Sequence, residues 1–329
     1  MEVKLSNRIR ILSLICTIFV VYRHAYIVPA LLNENDVPIY VLKTREVLSR
    51  ITSLAVPVFF IISGFFFFRH DYYGINDYGS MIMKKVRSLL IPFLVWNMVG
   101  GIALYLEHSP QFGGDIESVL LNIFQSHWYG PLWYVRDLMI WMLLYPIYGW
   151  LVNFRYNLPF WLVVAIAFYY WIPVASNVMA IEGLLFFLIG GWLSKHESFV
   201  TYKIPRPILV CLVLLWIAWS YCSPLLMEIS LYKFYVLLGI VVLWQIVQRI
   251  TVKTKMLDES HYSFFLYVTH IYILKIFKVL VATKFYGNGV VALLVYLLGP
   301  LLAIFLLYHI GKFCKYHMGI IYQFAVGGR

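Results

Sequence analysis

Ten stretches of nearly uninterrupted apolar character alternate with short polar connectors along the chain: residues 9–28, 49–68, 87–106, 131–151, 158–174, 178–194, 206–223, 231–249, 260–281 and 290–311. An α-helix needs about 20 residues to cross roughly 30 Å of hydrocarbon. Backbone polar groups inside a bilayer must be satisfied within the protein, which leaves helices or closed barrels as spanning structures. The runs are helix-length, so the pattern predicts an all-α polytopic membrane helix bundle with about ten transmembrane helices. The fifth and sixth runs are short and separated only by Ile172 to Asn177, so they form either two spans or a tight, partly re-entrant hairpin. No internal repeat or soluble stretch interrupts the pattern, and residues 1–329 read as a single integral-membrane domain.

Composition removes the soluble alternative. The 329 residues are 62% hydrophobic and 12% charged, whereas about a quarter of the residues of a soluble domain are charged. The net charge of +11 would suit a nucleic-acid partner, but the basic residues lie in the connectors, where they act as topology determinants. With a cytoplasmic N-terminus the inner side holds 17 of the 26 lysines and arginines: Lys4, Arg8, Arg10, Arg69, Lys84, Lys85, Arg87, Arg155, Lys195, Lys203, Arg206, Arg249, Lys253, Lys255, Lys312, Lys315 and Arg329. The outer side holds 5, namely Lys43, Arg45, Arg50, Lys233 and Lys284, and 4 lie within spans. That bias predicts both termini cytoplasmic and no nucleic-acid partner. The stretch from Glu107 to Gly130 carries Glu107, Asp115 and Glu117 without a lysine or arginine, contains Pro110, Gly113 and Gly114, and ends in His127-Trp128-Tyr129. It is expected to be an external loop at the mouth of the bundle. The basic start followed by an apolar run imitates a signal peptide, but Val28-Pro29-Ala30 is a poor cleavage site, so the first run reads as an uncleaved span. Cys16, Cys211, Cys222 and Cys314 are scattered without metal-ligand spacing. They read as packing residues, and no metal is expected.

Polar residues at membrane depth usually face a bundle interior or a water-filled cavity and mark a site. Arg23 and His24 lie near the far end of the first run. A histidine has the ordinary pKa for proton transfer near neutrality, so His24 is the candidate chemical centre; the alternative is an interfacial packing residue. At 1.5 Å per residue His24 lies roughly 20 Å from the inner start of its helix, and His270 about 15 Å from the inner start of the ninth run. Arg136 and Asp137 lie about 8 Å, and Glu182 about 6 Å, below the outer starts of their runs, and Lys275 and Lys278 extend the polar track outward. These depths overlap. Arg136 and Asp137 serve either substrate or a bundle-assembling ion pair, and Glu182 and Lys278 either join the track or snorkel to the interface. On the inner side, Arg69, Lys84, Lys85 and Arg87 are candidates for phosphate oxygens of a nucleotide or coenzyme. The competing explanation is the positive-inside rule, which alone accounts for most such clusters.

Four stretches make the chain resemble the acyltransferase-3 family of integral-membrane O-acyltransferases over nearly its whole length. They are FVVYRH at 19–24, AVPVFFIISGFF at 55–66, PLWYVRDL at 131–138 and SFFLYVTH at 263–270. The resemblance implies transfer of an acyl group, usually acetyl, from cytoplasmic acetyl-CoA or another acyl-CoA to a hydroxyl of a cell-surface glycan or other exported molecule. It implies a multi-pass protein of the bacterial cytoplasmic (inner) membrane, in contact with membrane lipid. His24 falls on the family's essential first-helix histidine, and His270 is a second proton-transfer or substrate-binding group. Arg23, Arg136, Asp137 and Glu182 are expected around the acceptor and the developing charge; Arg10, Arg69, Lys84, Lys85 and Arg87 around the donor. One position departs: the family commonly carries arginine eleven residues before the histidine, and here that residue is Ser13, with Arg10 one turn earlier on the same helix face. The acceptor, the acyl group and homo-oligomer formation stay open. The rival class is a transporter or flippase of a polar or lipid-linked sugar, which buried ionisable groups would also serve.

Overall fold

The computed structural model describes residues 3–26, 37–70, 75–113, 115–153, 158–172, 180–222, 229–285 and 287–328. Arg155, Arg329, Gly114 and Val28-Pro29-Ala30 lie outside the described residues. The chain begins with α1 (Val3–His24), α2 (Ile39–Thr52), α3 (Ala55–Phe67), α4 (Ile75–Lys85), α5 (Ile91–Leu106) and α6 (Ile116–Gln125). Next come α7 (Trp133–Leu143), α8 (Tyr145–Tyr148), α9 (Trp150–Asn153), α10 (Leu158–Tyr170), α11 (Ile181–Lys195) and α12 (Glu197–Thr201). The remainder is α13 (Arg206–Ser220), α14 (Ile229–Val247), α15 (Thr254–Ser260), α16 (Ser263–Phe285), α17 (Gly289–His317) and α18 (Gly319–Val326). There is no β-strand among the described residues.

Each of the ten apolar runs contains a helix. Among the described residues five stretches are long and apolar enough to cross a membrane: Val3–His24, Ile39–Phe67, Asn76–Leu106, Ser263–Val281 and Gly289–His317. A sixth is made by Gly130–Leu143 and Tyr145–Val152 if that pair, bent by 56°, counts as one span. The bend falls just before Pro146, whose ring removes a backbone donor and disfavours helical geometry at the preceding residue. The helices α10 and α13, of 13 and 15 residues, reach only about 20 Å at 1.5 Å per residue.

Contacts divide the chain into two compact units, one of Met1–Phe59 with Thr201–Tyr316 and the other of Phe60–Val200 with His317–Arg329. In the first, α1 is polar at its two ends and apolar through its middle, Ile11 to Val21, and it packs against α2, α14, α15 and α16. Its Ile11, Cys16 and Val21 are fully buried, and Cys16 is a packing residue as its isolation suggests. Arg50, expected only as an outer-side charge, donates to the Ser220 and Cys222 carbonyls at 2.7 and 2.8 Å and to Glu46. It thereby satisfies carbonyls left open at the end of α13.

The second unit is built around backbone contact between α3 and α11. A Cβ on Gly64 would stand 2.0 Å from the Phe187 carbonyl oxygen, and one on Gly190 would stand 2.1 Å from that of Ile61. Small residues let helices approach this closely where no hydrophobic effect drives them together. The approach explains the glycine of the SGFF run. Ser63 Oγ and Tyr134 OH, 2.9 Å apart, and the Phe60 and Tyr134 rings, edge-on at 4.7 Å, join this run to the PLWYVRDL stretch. The helix preceding Pro92 widens to a π-turn over Val86–Leu90, which accommodates a proline that cannot bond to the carbonyl four residues back. The stretch expected as an external loop carries α6 and closes on itself: Phe112 stacks on Trp128 at 5.3 Å, and the Trp128 indole donates to the Phe112 carbonyl at 3.0 Å.

Candidate active site

The last turn of α1 carries Arg23 and His24, and the middle of α16 carries His270; packing of these helices sets the two imidazole centroids 5.2 Å apart, tilted by 47°. His24 is exposed while His270 is fully buried. The His270 Nδ1 lies 2.7 Å from the Tyr267 carbonyl one turn back. A carbonyl only accepts, so this bond places the proton on Nδ1 and leaves Nε2 with a lone pair. That Nε2 is buried and has no hydrogen-bond partner among the described residues.

The α1 terminus is held on two sides. Arg23 donates to the Ser49 carbonyl at 3.1 Å and to the Ser49 hydroxyl on α2, and the Tyr22 hydroxyl donates to the Leu297 carbonyl of α17 at 2.9 Å. Arg45 sits 4.0 Å over the Tyr26 ring, which packs edge-on against Tyr296. His24 therefore stands on a braced helix end. Sequence reasoning left out Ser49; a serine within a predicted span gives no local sign of the arginine it receives.

At the inner end, Arg10 donates to the Leu257 carbonyl at 2.9 Å and contacts His261 Nε2 at 2.7 Å. The residue one turn before Ser13 is thus engaged by the connector leading into α16, the helix that carries His270. His261 was not among the expected site residues. Burial and the positive charges of Arg10 and Lys315 hold its pKa below the ordinary histidine value, against a smaller upward pull from Asp258.

The other expected residues lie in the second unit. Arg136 grips Asp137 Oδ1 through Nε and Nη2, both at 2.8 Å, with both side chains almost fully buried. The second carboxylate oxygen of Asp137 accepts the Ala180 amide at 2.8 Å, just ahead of α11. Glu182, also buried, lies near enough to Asp137 to feel its charge. The geometry favours the ion-pair side of the alternative for Arg136 and Asp137: the pair ties α7 to the start of α11. Arg69 bridges to Glu197 at 2.7 Å. Lys84 and Arg87 are exposed.

Lys85 and Arg136 line a single cavity of about 230 Å³, otherwise walled by apolar residues such as Phe93, Phe124 and Met139. Sequence depth had put the two on opposite sides. The difference arises because α4 starts at Ile75, ahead of the hydropathic window, so Lys85 lies about 15 Å along a helical stretch instead of in a connector. Among the described residues no three His, Cys, Asp or Glu side chains gather as a metal site would need.

A family profile described as an acyltransferase domain matches residues 7–309. A stretch of 156 residues is 28% identical to the succinoglycan biosynthesis protein ExoH of Rhizobium meliloti (strain 1021), covering 44% of this chain and 41% of that protein. The match thus spans less than half the length of this curated relative. No solved structure matches.

Proposed function

Since the chain belongs to the acyltransferase-3 family, whose domain covers residues 7–309, we propose that it is a membrane O-acyltransferase that moves an acyl group, acetyl foremost, from cytoplasmic acyl-CoA to a hydroxyl of a cell-surface or exported polysaccharide. The polysaccharide class is supported by the Rhizobium relative, a succinoglycan biosynthesis protein. The bacterial inner membrane is the location that fits this role.

The observation that carries the reading is the His24–His270 pair, with one ring exposed and the other buried at 5.2 Å. In the proposed step, His24 takes the proton of the acceptor hydroxyl as its oxygen attacks the thioester carbonyl. The carbon–sulfur bond breaks, and the proton passes from His24 to the departing thiolate, leaving an ester and free coenzyme A. His270 is the positioning residue, its own orientation fixed by Tyr267. Arg23, held by Ser49 beside His24, is the cation assigned to stabilise the charge that develops on the carbonyl oxygen. Arg136 and Asp137 enter this reading as the clamp on α11, with Glu182 beside it.

The test is coenzyme A release from acetyl-CoA by the purified protein with an oligosaccharide acceptor. His24→Ala is expected to lower turnover by roughly 10²- to 10⁴-fold, the usual contribution of a general base, while elution on gel filtration stays unchanged. His270→Ala should fall in the same direction. Full activity in a folded His24→Ala protein would sink the assignment. Passage of a sugar across the bilayer without ester formation would favour the carrier reading instead.

A further inference from the structure

Five basic residues from three separate parts of the chain converge on one cavity of about 520 Å³ in the first unit. Lys4 and Arg8 come from the start of α1, Lys203 and Arg206 from the entry to α13, and Arg249 from the residues just after α14; Asn7, Gln248 and Thr251 add neutral polar groups. No described aspartate or glutamate lines it. Its volume falls in the range of small-molecule sites.

The wall is stiff. Arg249 donates to the Gln245 carbonyl and Oε1 at 2.7 and 2.8 Å and to the Ile204 carbonyl. Gln245 returns two bonds to the connector: its Nε2 donates to the Tyr202 carbonyl at 2.8 Å and its Oε1 accepts the Ile204 amide at 3.0 Å. These partners are all neutral, so they hold the connector without cancelling charge. Among the described residues, none of Lys4, Arg8, Lys203 and Arg206 forms a salt bridge with a carboxylate. Topology alone asks only that basic residues lie on the inner side; it gives no reason for five to face one concavity, where they repel one another.

We propose that this cavity binds a ligand bearing clustered phosphates. Lysine and arginine meet phosphate oxygens through charge-assisted hydrogen bonds, and a pre-formed wall loses little freedom on binding. Two sources share this chemistry. One is the diphosphate and 3′-phosphate of the coenzyme A donor, an attribution that rests on the proposed function; the other is the headgroup of an anionic phospholipid. The site is distinct from Arg69, Lys84, Lys85 and Arg87, all of which belong to the second unit.

The experiment titrates purified full-length protein in uncharged detergent with pyrophosphate, coenzyme A and short-chain phosphatidylglycerol. The double variant Arg8→Gln, Arg206→Gln and, separately, Lys203→Gln are compared with Lys255→Gln, an exposed basic residue outside the cavity. The double variant is expected to bind at least one probe roughly tenfold or more weakly, with Lys203→Gln falling between it and the parent and Lys255→Gln matching the parent. Loss confined to coenzyme A identifies the donor as the source, and loss confined to phosphatidylglycerol identifies the lipid. Unchanged binding of all three, equal weakening by Lys255→Gln, or a parent that binds none of them overturns the proposal. A protein that transfers no acyl group yet loses coenzyme A binding in the double variant would remove the proposed function and keep the site.

Discussion

Arg10 donates through one guanidinium nitrogen to the Leu257 carbonyl and contacts His261 Nε2 through the same nitrogen. That leaves the N–H groups of Nε and the other terminal nitrogen for a donor phosphate. His261 accepts from Arg10 only while neutral, and Lys315 adds a second cation nearby, with Asp258 opposing. Its pKa in the folded protein lies below that of the unfolded chain, so folding favours the neutral ring. The stabilising contribution is therefore present above the unfolded value of about 6.5 and is lost as pH falls below it, because the unfolded state then binds more protons. Thermal unfolding followed between about pH 7.5 and 5.5 should show the parent losing stability on acidification more steeply than His261→Gln, a neutral side chain that still accepts a hydrogen bond. Identical slopes would mean that the contact with Arg10 has no energetic weight. The same locality explains what was legible at this scale. His24 stands out because a titratable residue near the end of an apolar run is unusual, whereas Ser49 and His261 are unremarkable until the arginines they receive are located.

The contact between α3 and α11 gives the SGFF run a packing role that stands apart from any chemistry. Gly64 faces the Phe187 carbonyl and Gly190 the Ile61 carbonyl, so a methyl group at either position meets backbone, which cannot rotate away. Gly64→Ala and Gly190→Ala should each lower stability by about 1–3 kcal/mol, the usual range for overpacking, read as a lower midpoint of thermal unfolding in detergent. Gly79→Ala is the comparison, since a Cβ there would have no atom within 4 Å. Equal midpoints for Gly64→Ala and Gly79→Ala would show that the helices can separate at little cost. Element boundaries were less legible than element identity. The polar first turns of α4 hid its 11 residues from the hydropathic window, and Pro146 introduced a bend that a mean hydropathy cannot register.

Across the whole molecule, the excess of basic residues in alternate connectors predicts cytoplasmic termini and an external loop from Glu107 to Gly130. In a variant lacking Cys16, Cys211, Cys222 and Cys314, a cysteine at the exposed Glu117 of α6 should react with a membrane-impermeant maleimide added to intact cells. A cysteine at Lys255 should react only after the cells are opened. The reverse pattern would invert the topology, and with it the inner location of the basic cavity. Each unit draws on stretches far apart in the chain, the first from both ends of Met1–Tyr316 and the second from Phe60–Val200 with the last residues. Position in the chain is therefore a poor guide to neighbourhood.

Hydropathy and run length are local quantities, carried by each residue and its neighbours within a few turns. They were enough for an all-α membrane protein and for the candidate His24, and the resemblance carried by four short stretches added the family. Pairing His24 with His270, engaging Arg10 with His261, placing Lys85 and Arg136 on one cavity and gathering Lys4, Arg8, Lys203, Arg206 and Arg249 around another all depend on which helix faces meet. In a soluble helix an apolar stripe announces the buried face. The middle of a helix such as α1, from Ile11 to Val21, is apolar nearly all round because lipid and protein interior are alike to its side chains. Its sequence therefore carries no mark of which face meets α16 and which meets α2, and only the packing of the assembled helices resolves it.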